Sequence, residues 1–203
     1  MIECVTWATE HRFEGSPISQ QFHLRYQSSI LTEEWTSIFV NPSETTGSFE
    51  ECDQYDTRYA EYLVKRNDEG TILGTIRTGP TTAPYMMKDH FGKVFGYGFR
   101  PPISMHHHEL SRMAVNRDLL SREETKNVTN QLLLAAQERG LQRGINAYWG
   151  IVLEVVADKV FQRAGYDVQF TGPPVIYPNT GEHIYGVKLP VNEKVYRRCQ
   201  AIC

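Results

Sequence analysis

The stretch Cys52–Met87, CDQYDTRYAEYLVKRNDEGTILGTIRTGPTTAPYMM, continued at His106–Val115 as HHHELSRMAV, carries the reading of the fold. Tyr59–Lys65 and Thr71–Thr78 have the apolar, β-branched and aromatic content of buried strands, and the NDEG between them is a hairpin turn. His106–Val115 reads as a further strand. Asp53, Asp56, Arg77, Glu109 and Arg112 stand in or beside these strands. A charge buried there is costly and needs a partner. Five of them, of both signs, point to a site for a substrate that carries both signs of charge.

Upstream, residues 2–8 (IECVTWA) look like a short strand. Ser16 to Leu31 suits a helix, with Ser16 as N-cap, Pro17 at the first position and Phe22, Tyr26 and Ile30 at four-residue spacing. Residues 32–51 are polar, contain Pro and Gly and hold no period, as expected of a functional loop that closes over a site. Downstream of the hairpin, a Gly/Pro-rich connection carries a short helix around Tyr85–Phe91. Ser121–Gly140 is an amphipathic helix: Ser121 and Glu124 form a capping box, Val128, Leu132 and Ala135 or Ala136 make the buried stripe, and Gly140 stops it. Asn146–Val152 is a buried strand and Glu154–Ala164 a helix ended by Gly165. Val168–Phe170 and His183–Leu189 are strands on either side of a GPP-containing loop. This order predicts an α+β protein with a mostly antiparallel twisted sheet flanked by helices. Without a repeat or linker, residues 1–203 are expected to form a single domain.

A hydrophobic share of 40% is enough for one substantial core, and the net charge of -3 argues against a nucleic-acid partner, whose recognition rests on clustered Lys and Arg. The first residues lack a signal-peptide pattern, and even YWGIVLEVVA is interrupted by Glu154, so a cytoplasmic protein with no membrane span is expected. Cys4, Cys52, Cys199 and Cys203 form no CxxC pair and are expected as free thiols. His106–His108 invite a metal, but on a strand only two share a face and no third ligand is evident. No metal or cofactor is expected.

The string FEECDQYD…RTGPTTAPYMM followed by ELSRMAV resembles the acyl-homoserine-lactone synthases, the LuxI-type autoinducer synthases. That family has a D-x-x-D pair entering a Tyr-rich strand, then a G-x-x-R-L-x-P-T-T-x-P-Y-M-L segment and an E-x-S-R strand. The likeness covers roughly Arg25–Val115, with RAGY at Arg163–Tyr166 as a looser match. It implies a GNAT-like acyltransferase fold with a bulged, splayed strand at the active cleft. It also implies the reaction: the α-amine of S-adenosylmethionine is acylated from an acyl thioester, and the methionyl carboxylate then closes a lactone with loss of methylthioadenosine.

Carried over by position, the resemblance makes Arg25, Trp35, Asp53, Asp56, Arg77, Ser111 and Arg112 binding residues for S-adenosylmethionine. Trp35 would face the sulfonium, and Arg77 would bind a carboxylate bidentately. Ser29 departs from the family's phenylalanine. Glu109 is the expected general base, acting through a water, with Arg77, Arg112 and Asp53 completing the catalytic set. Asp53 and Asp56, three residues apart, need a turn to serve one pocket. Likewise, Glu109 and Arg112 share a site only if the strand bulges near Leu110 or Ser111. Met86 and Trp149 are expected in the acyl pocket, and the absence of threonine from AYWGIVLEVV favours an unsubstituted chain. NRDLLSREETKN contains no glycine for a backbone phosphate cradle. Acyl carrier protein is therefore the favoured donor over acyl-CoA, with Arg139, Arg143, Lys159 and Arg163 meeting its acidic surface. The competing readings are a GNAT-type N-acyltransferase acting on another amine and a catalytically silent relative that binds a carrier or a ligand.

Overall fold

The computed structural model describes residues 2–7, 16–28, 50–95, 98–178 and 180–203. Its chain divides into two compact units, Met1–Thr78 with Arg112–Leu132, and Gly79–Ser111 with Leu133–Cys203. Most of the expected closing loop, together with Ser29 and Trp35, lies outside the described residues.

In the first unit, β1 (Ile2–Thr6), β2 (Glu61–Arg66) and β3 (Ile72–Pro80) pair antiparallel, with Val5 opposite Tyr62 and Tyr62 opposite Arg77. The hairpin is the one expected. Helix α1 (Pro17–Tyr26) starts as the sequence implies, with Ser16 Oγ accepting from Ser19 N at 3.3 Å. Ile18, Phe22 and Leu24 bury its apolar side in a core with Val5, Tyr62, Val64, Ile72 and Ala114.

Strand β4 (His107–Val115) and helix α4 (Arg122–Gln142) each belong partly to both units. Ser121 and Glu124 form the capping box, Glu124 Oε2 accepting from Ser121 N at 2.8 Å and Ser121 Oγ at 2.7 Å. The Val128–Leu132 stripe lies against β3 so closely that a Cβ on Gly74 would come within 2.8 Å of Val128 Cγ1 and 3.0 Å of Leu132 Cδ1.

The second unit holds α2 (Met86–Asp89), α3 (Phe91–Phe95), β5 (Ala147–Leu153) and α5 (Glu154–Val156). It continues with β6 (Gln169–Phe170), β7 (Val175–Ile176), β8 (His183–Pro190) and α6 (Glu193–Ile202). Strand β5 pairs with β4 in parallel and with β8 antiparallel, and β8 also takes β6 and β7. The helix expected over Glu154–Ala164 differs in kind: after α5 it is π-helical at Ala157–Gln162. Helix α6 has no counterpart in the sequence reading. Asn192 caps it, accepting from Val195 N at 3.0 Å, and only Val195 and Cys199 are buried along it. A ten-residue segment with so narrow an apolar stripe gives a weak periodic signal. The four cysteines are free. No helix among the described residues is long and apolar enough to cross a membrane.

Candidate active site

The turn that Asp53 and Asp56 require is present. Asp56 N donates to Asp53 O at 3.0 Å, Tyr55 N to Asp53 Oδ1 at 2.9 Å and Asp53 N to Asp56 Oδ2 at 2.7 Å. These bonds bring the two side chains to a common set of arginines. Arg25 on α1 grips Asp56 bidentately, Nη1 to Oδ1 at 2.8 Å and Nη2 to Oδ2 at 2.9 Å. Arg77 Nη1, from β3, donates to Asp53 Oδ1 at 2.6 Å and Asp56 Oδ1 at 2.8 Å. Arg112 donates from Nε to Asp53 Oδ2 at 3.0 Å, and its Nη2 lies 2.8 Å from the same oxygen. Tyr62, opposite Arg77 in the sheet, adds a hydroxyl bond to Asp56 Oδ1 at 2.9 Å.

A sixth ionic group completes this network. Glu51 Oε2 accepts from Arg25 Nε at 2.5 Å, and its Oε1 lies 3.2 Å from Arg112 Nε. Three guanidiniums therefore face three carboxylates. With side-chain exposure of 1% for Arg25 and 0% for Asp56, solvent does little to screen them. Burial would push the Asp56 carboxyl up, but Arg25 and Arg77 outweigh it and hold the group well below the usual carboxylate range. Burial likewise works against the charge on Arg77, and Asp56 and Asp53 more than restore it. For Tyr62, burial and the neighbouring Asp56 raise the phenol far above its ordinary value, so it remains a donor.

The second unit contains Glu109, which is buried. Its Oε1 accepts from Met87 N at 2.7 Å, and its Oε2 accepts from Met86 N and Ser111 Oγ, each at 3.3 Å. The carboxylate thus caps α2, whose N-cap residue Tyr85 supplies no side-chain bond. Beyond Glu109 the strand loses its regularity. The ladder to β5 ends at the Glu109–Trp149 pair, three successive residues, His108–Leu110, are buried, and Arg112 has φ +53°. Leu110 O comes close enough that a Cβ on Gly150 would stand 2.9 Å from it. The strand is therefore irregular between Glu109 and Arg112, with the left-handed residue at Arg112 itself rather than at Leu110 or Ser111.

Of the two residues expected in the acyl pocket, Met86 is buried at the start of α2, while the Trp149 ring packs 5.8 Å from His107 with Lys188 Nζ 6.0 Å from its centroid. A mixed neighbourhood surrounds Gly186, where a Cβ would meet Thr171 Oγ1, Phe99 and Met87 Cε. Arg143, Lys159 and Arg163 are exposed and Arg139 half-buried, Lys159 lying on the π-helical turn and Arg163 capping it. His108 is buried, and a ring nitrogen of His106 lies 3.0 Å from Gly144 O. Among the described residues no grouping of three His, Cys, Asp or Glu side chains could hold a metal ion.

The profile of the autoinducer synthase family matches residues 16–199. The chain belongs to that family. Acyl-homoserine-lactone synthases of Vibrio anguillarum and Ralstonia solanacearum are similar to it. The first is 31% identical over 144 residues, 70% of this chain and 74% of its own. The second is 34% identical over 133 residues, 63% and 62% of the two chains. The fold is that of BjaI, a CoA-dependent acyl-homoserine lactone synthase solved with MTA, at a TM-score of 0.82 and 24% identity over 99% of this chain and 88% of that one. BjaI has also been solved with SAM and isopentyl-CoA. This autoinducer synthase is accordingly an acyltransferase of GNAT-like α+β fold.

Two partners in the autoinducer synthase network, Glu51 and Tyr62, escape a motif reading. Charge balance could have found Glu51: Arg25, Arg77 and Arg112 exceed Asp53 and Asp56 by one positive charge, and a buried network requires that charge to be met. Tyr62 carries a fainter signal, as a phenol buried in a core strand needs an acceptor.

Proposed function

We propose that this autoinducer synthase N-acylates S-adenosylmethionine from an acyl thioester and then lactonises the product, releasing methylthioadenosine and an acyl-homoserine lactone. The amine nitrogen attacks the thioester carbonyl and the thiol departs. The methionyl carboxylate then attacks its own γ-carbon, breaking the carbon–sulfur bond and neutralising the sulfonium. Residues 1–203 are taken as one autoinducer-synthase domain working in the cytoplasm.

The observation that carries it is the neutral network of Arg25, Asp56, Arg77, Asp53, Arg112 and Glu51 within a family match. A charge-balanced network can take up a substrate end bearing both ammonium and carboxylate without leaving a charge uncompensated. Arg77 and Arg112 hold the carboxylate, Asp53 and Asp56 face the cationic groups, Arg25 and Trp35 complete the nucleotide side, and Ser111 orients Glu109. Glu109, its direction set by Met87 N and Met86 N, accepts the ammonium proton through a water.

For the donor, two features of this chain favour acyl carrier protein: no glycine occurs between Asn116 and Asn127, and the capping carboxylate of Glu124 already occupies the start of α4. Arg139, Arg143, Lys159 and Arg163 would meet its acidic face. BjaI, of the same fold, is CoA-dependent, so both donors belong in the test.

The enzyme is incubated with S-adenosylmethionine and matched acyl-carrier and acyl-CoA thioesters, and products are identified by mass spectrometry. Methylthioadenosine together with acyl-homoserine lactone is expected. Acylation of another amine without methylthioadenosine would instead make the protein an N-acyltransferase of different acceptor. Glu109→Gln should lower turnover roughly 100-fold or more while leaving S-adenosylmethionine affinity nearly unchanged.

A further inference from the structure

The buried charges form a closed ring. Arg25 is held by Asp56 and Glu51, Arg77 by Asp56 and Asp53, and Arg112 by Asp53 and Glu51. Each cation bridges two anions and each anion two cations. Glu51 closes the ring between Arg25 and Arg112, and its own backbone is pinned, since Glu51 N donates to Phe22 O at 3.0 Å, one turn before Arg25 on α1.

Resting on the reaction read above, we propose that Glu51 is a positioning residue for S-adenosylmethionine, acting through Arg25 and Arg112. Two observations give it leverage. Arg112 sits at φ +53°, a conformation costly for a residue with a Cβ, so its guanidinium depends on the groups that hold it. Without the carboxylate, Arg112 keeps only Asp53, and the ring changes from neutral to one net positive charge. That excess repels a sulfonium substrate, while a tilted Arg112 no longer presents its donors to the carboxylate. The acyl thioester carries no cationic centre for that excess to repel.

The full chain carrying E51Q or E51D is assayed with S-adenosylmethionine and an acyl thioester, measuring KM for each substrate, with folding followed by circular dichroism. E51Q should raise KM for S-adenosylmethionine about tenfold, the scale of one lost charge-assisted contact, with KM for the thioester within about twofold. E51D, which keeps the charge but shortens its reach, should give about a threefold rise. A purely structural residue would reduce the amount of active enzyme and leave both KM values alone. A folded E51Q with unchanged KM for S-adenosylmethionine, or with equal rises for both substrates, overturns the proposal. If E51Q fails to fold, an unchanged KM in E51D overturns it. Wild-type enzyme that releases no methylthioadenosine overturns the reaction and this proposal with it, whereas active wild type beside an unmoved variant overturns the proposal alone.

Discussion

Asp56 receives hydrogen bonds from Arg25, Arg77, Tyr62 and the Asp53 N–H, all away from solvent. Removing its charge takes one of two carboxylate partners from each of two buried guanidiniums, so Asp56→Asn should cost about 3–5 kcal/mol in urea unfolding at pH 7. The pH dependence follows from the lowered pKa of this carboxyl in the fold. Its stabilisation is complete above the unfolded aspartate value of ~4 and is lost as pH falls toward the folded value. The gap between wild type and Asp56→Asn should therefore narrow from pH 7 to pH 3, and a constant gap would show that the ring does not depend on this ionisation. At this scale most of the ring is legible in the sequence, because lone charges in or beside apolar strands are conspicuous. Glu51 escaped because it ends a polar stretch in which one more carboxylate draws no attention.

Among the described residues, β4 carries the non-glycine residue at positive φ, Arg112, and its neighbour β5 comes close to the strand just before it at Gly150. A methyl there would press on Leu110 O, a backbone atom that moves only with its strand, so Gly150→Ala should destabilise by about 1–3 kcal/mol. Gly74→Ala meets side-chain atoms first, of which Leu132 Cδ1 can turn aside while β-branched Val128 on its helix yields less, and a somewhat smaller cost is expected. Thermal unfolding of the two variants checks the ranking. Asn192→Ala removes the cap of α6 and should cost about 1 kcal/mol by the same measurement. The hairpin, α1 and α4 were legible because turn residues, caps and apolar spacing agree locally. The π-helical turn was not, since its shift in hydrogen bonding leaves no distinctive spacing in a short segment.

For the molecule as a whole, the proposed carrier docking makes donor choice a matter of surface charge. If acyl carrier protein docks at Lys159 and Arg163, the double charge reversal to Glu should raise KM for the acyl-carrier substrate, more so at low salt, and leave KM for acyl-CoA near wild type. Equal effects on both donors would place the carrier elsewhere. The sequence alone determined the family, the succession of strands and helices apart from β7 and α6, and five of the ring's charges, because short-range periods, turn chemistry and motif spacing are written along the chain. The tertiary structure alone decided that these charges close into a ring, that Glu51 completes it and that Arg112 bears the left-handed conformation. Arg25 and Glu51 lie 26 residues apart and Arg112 and Asp53 59. Which charges meet across such separations is set by how the core packs, and no local pattern encodes it.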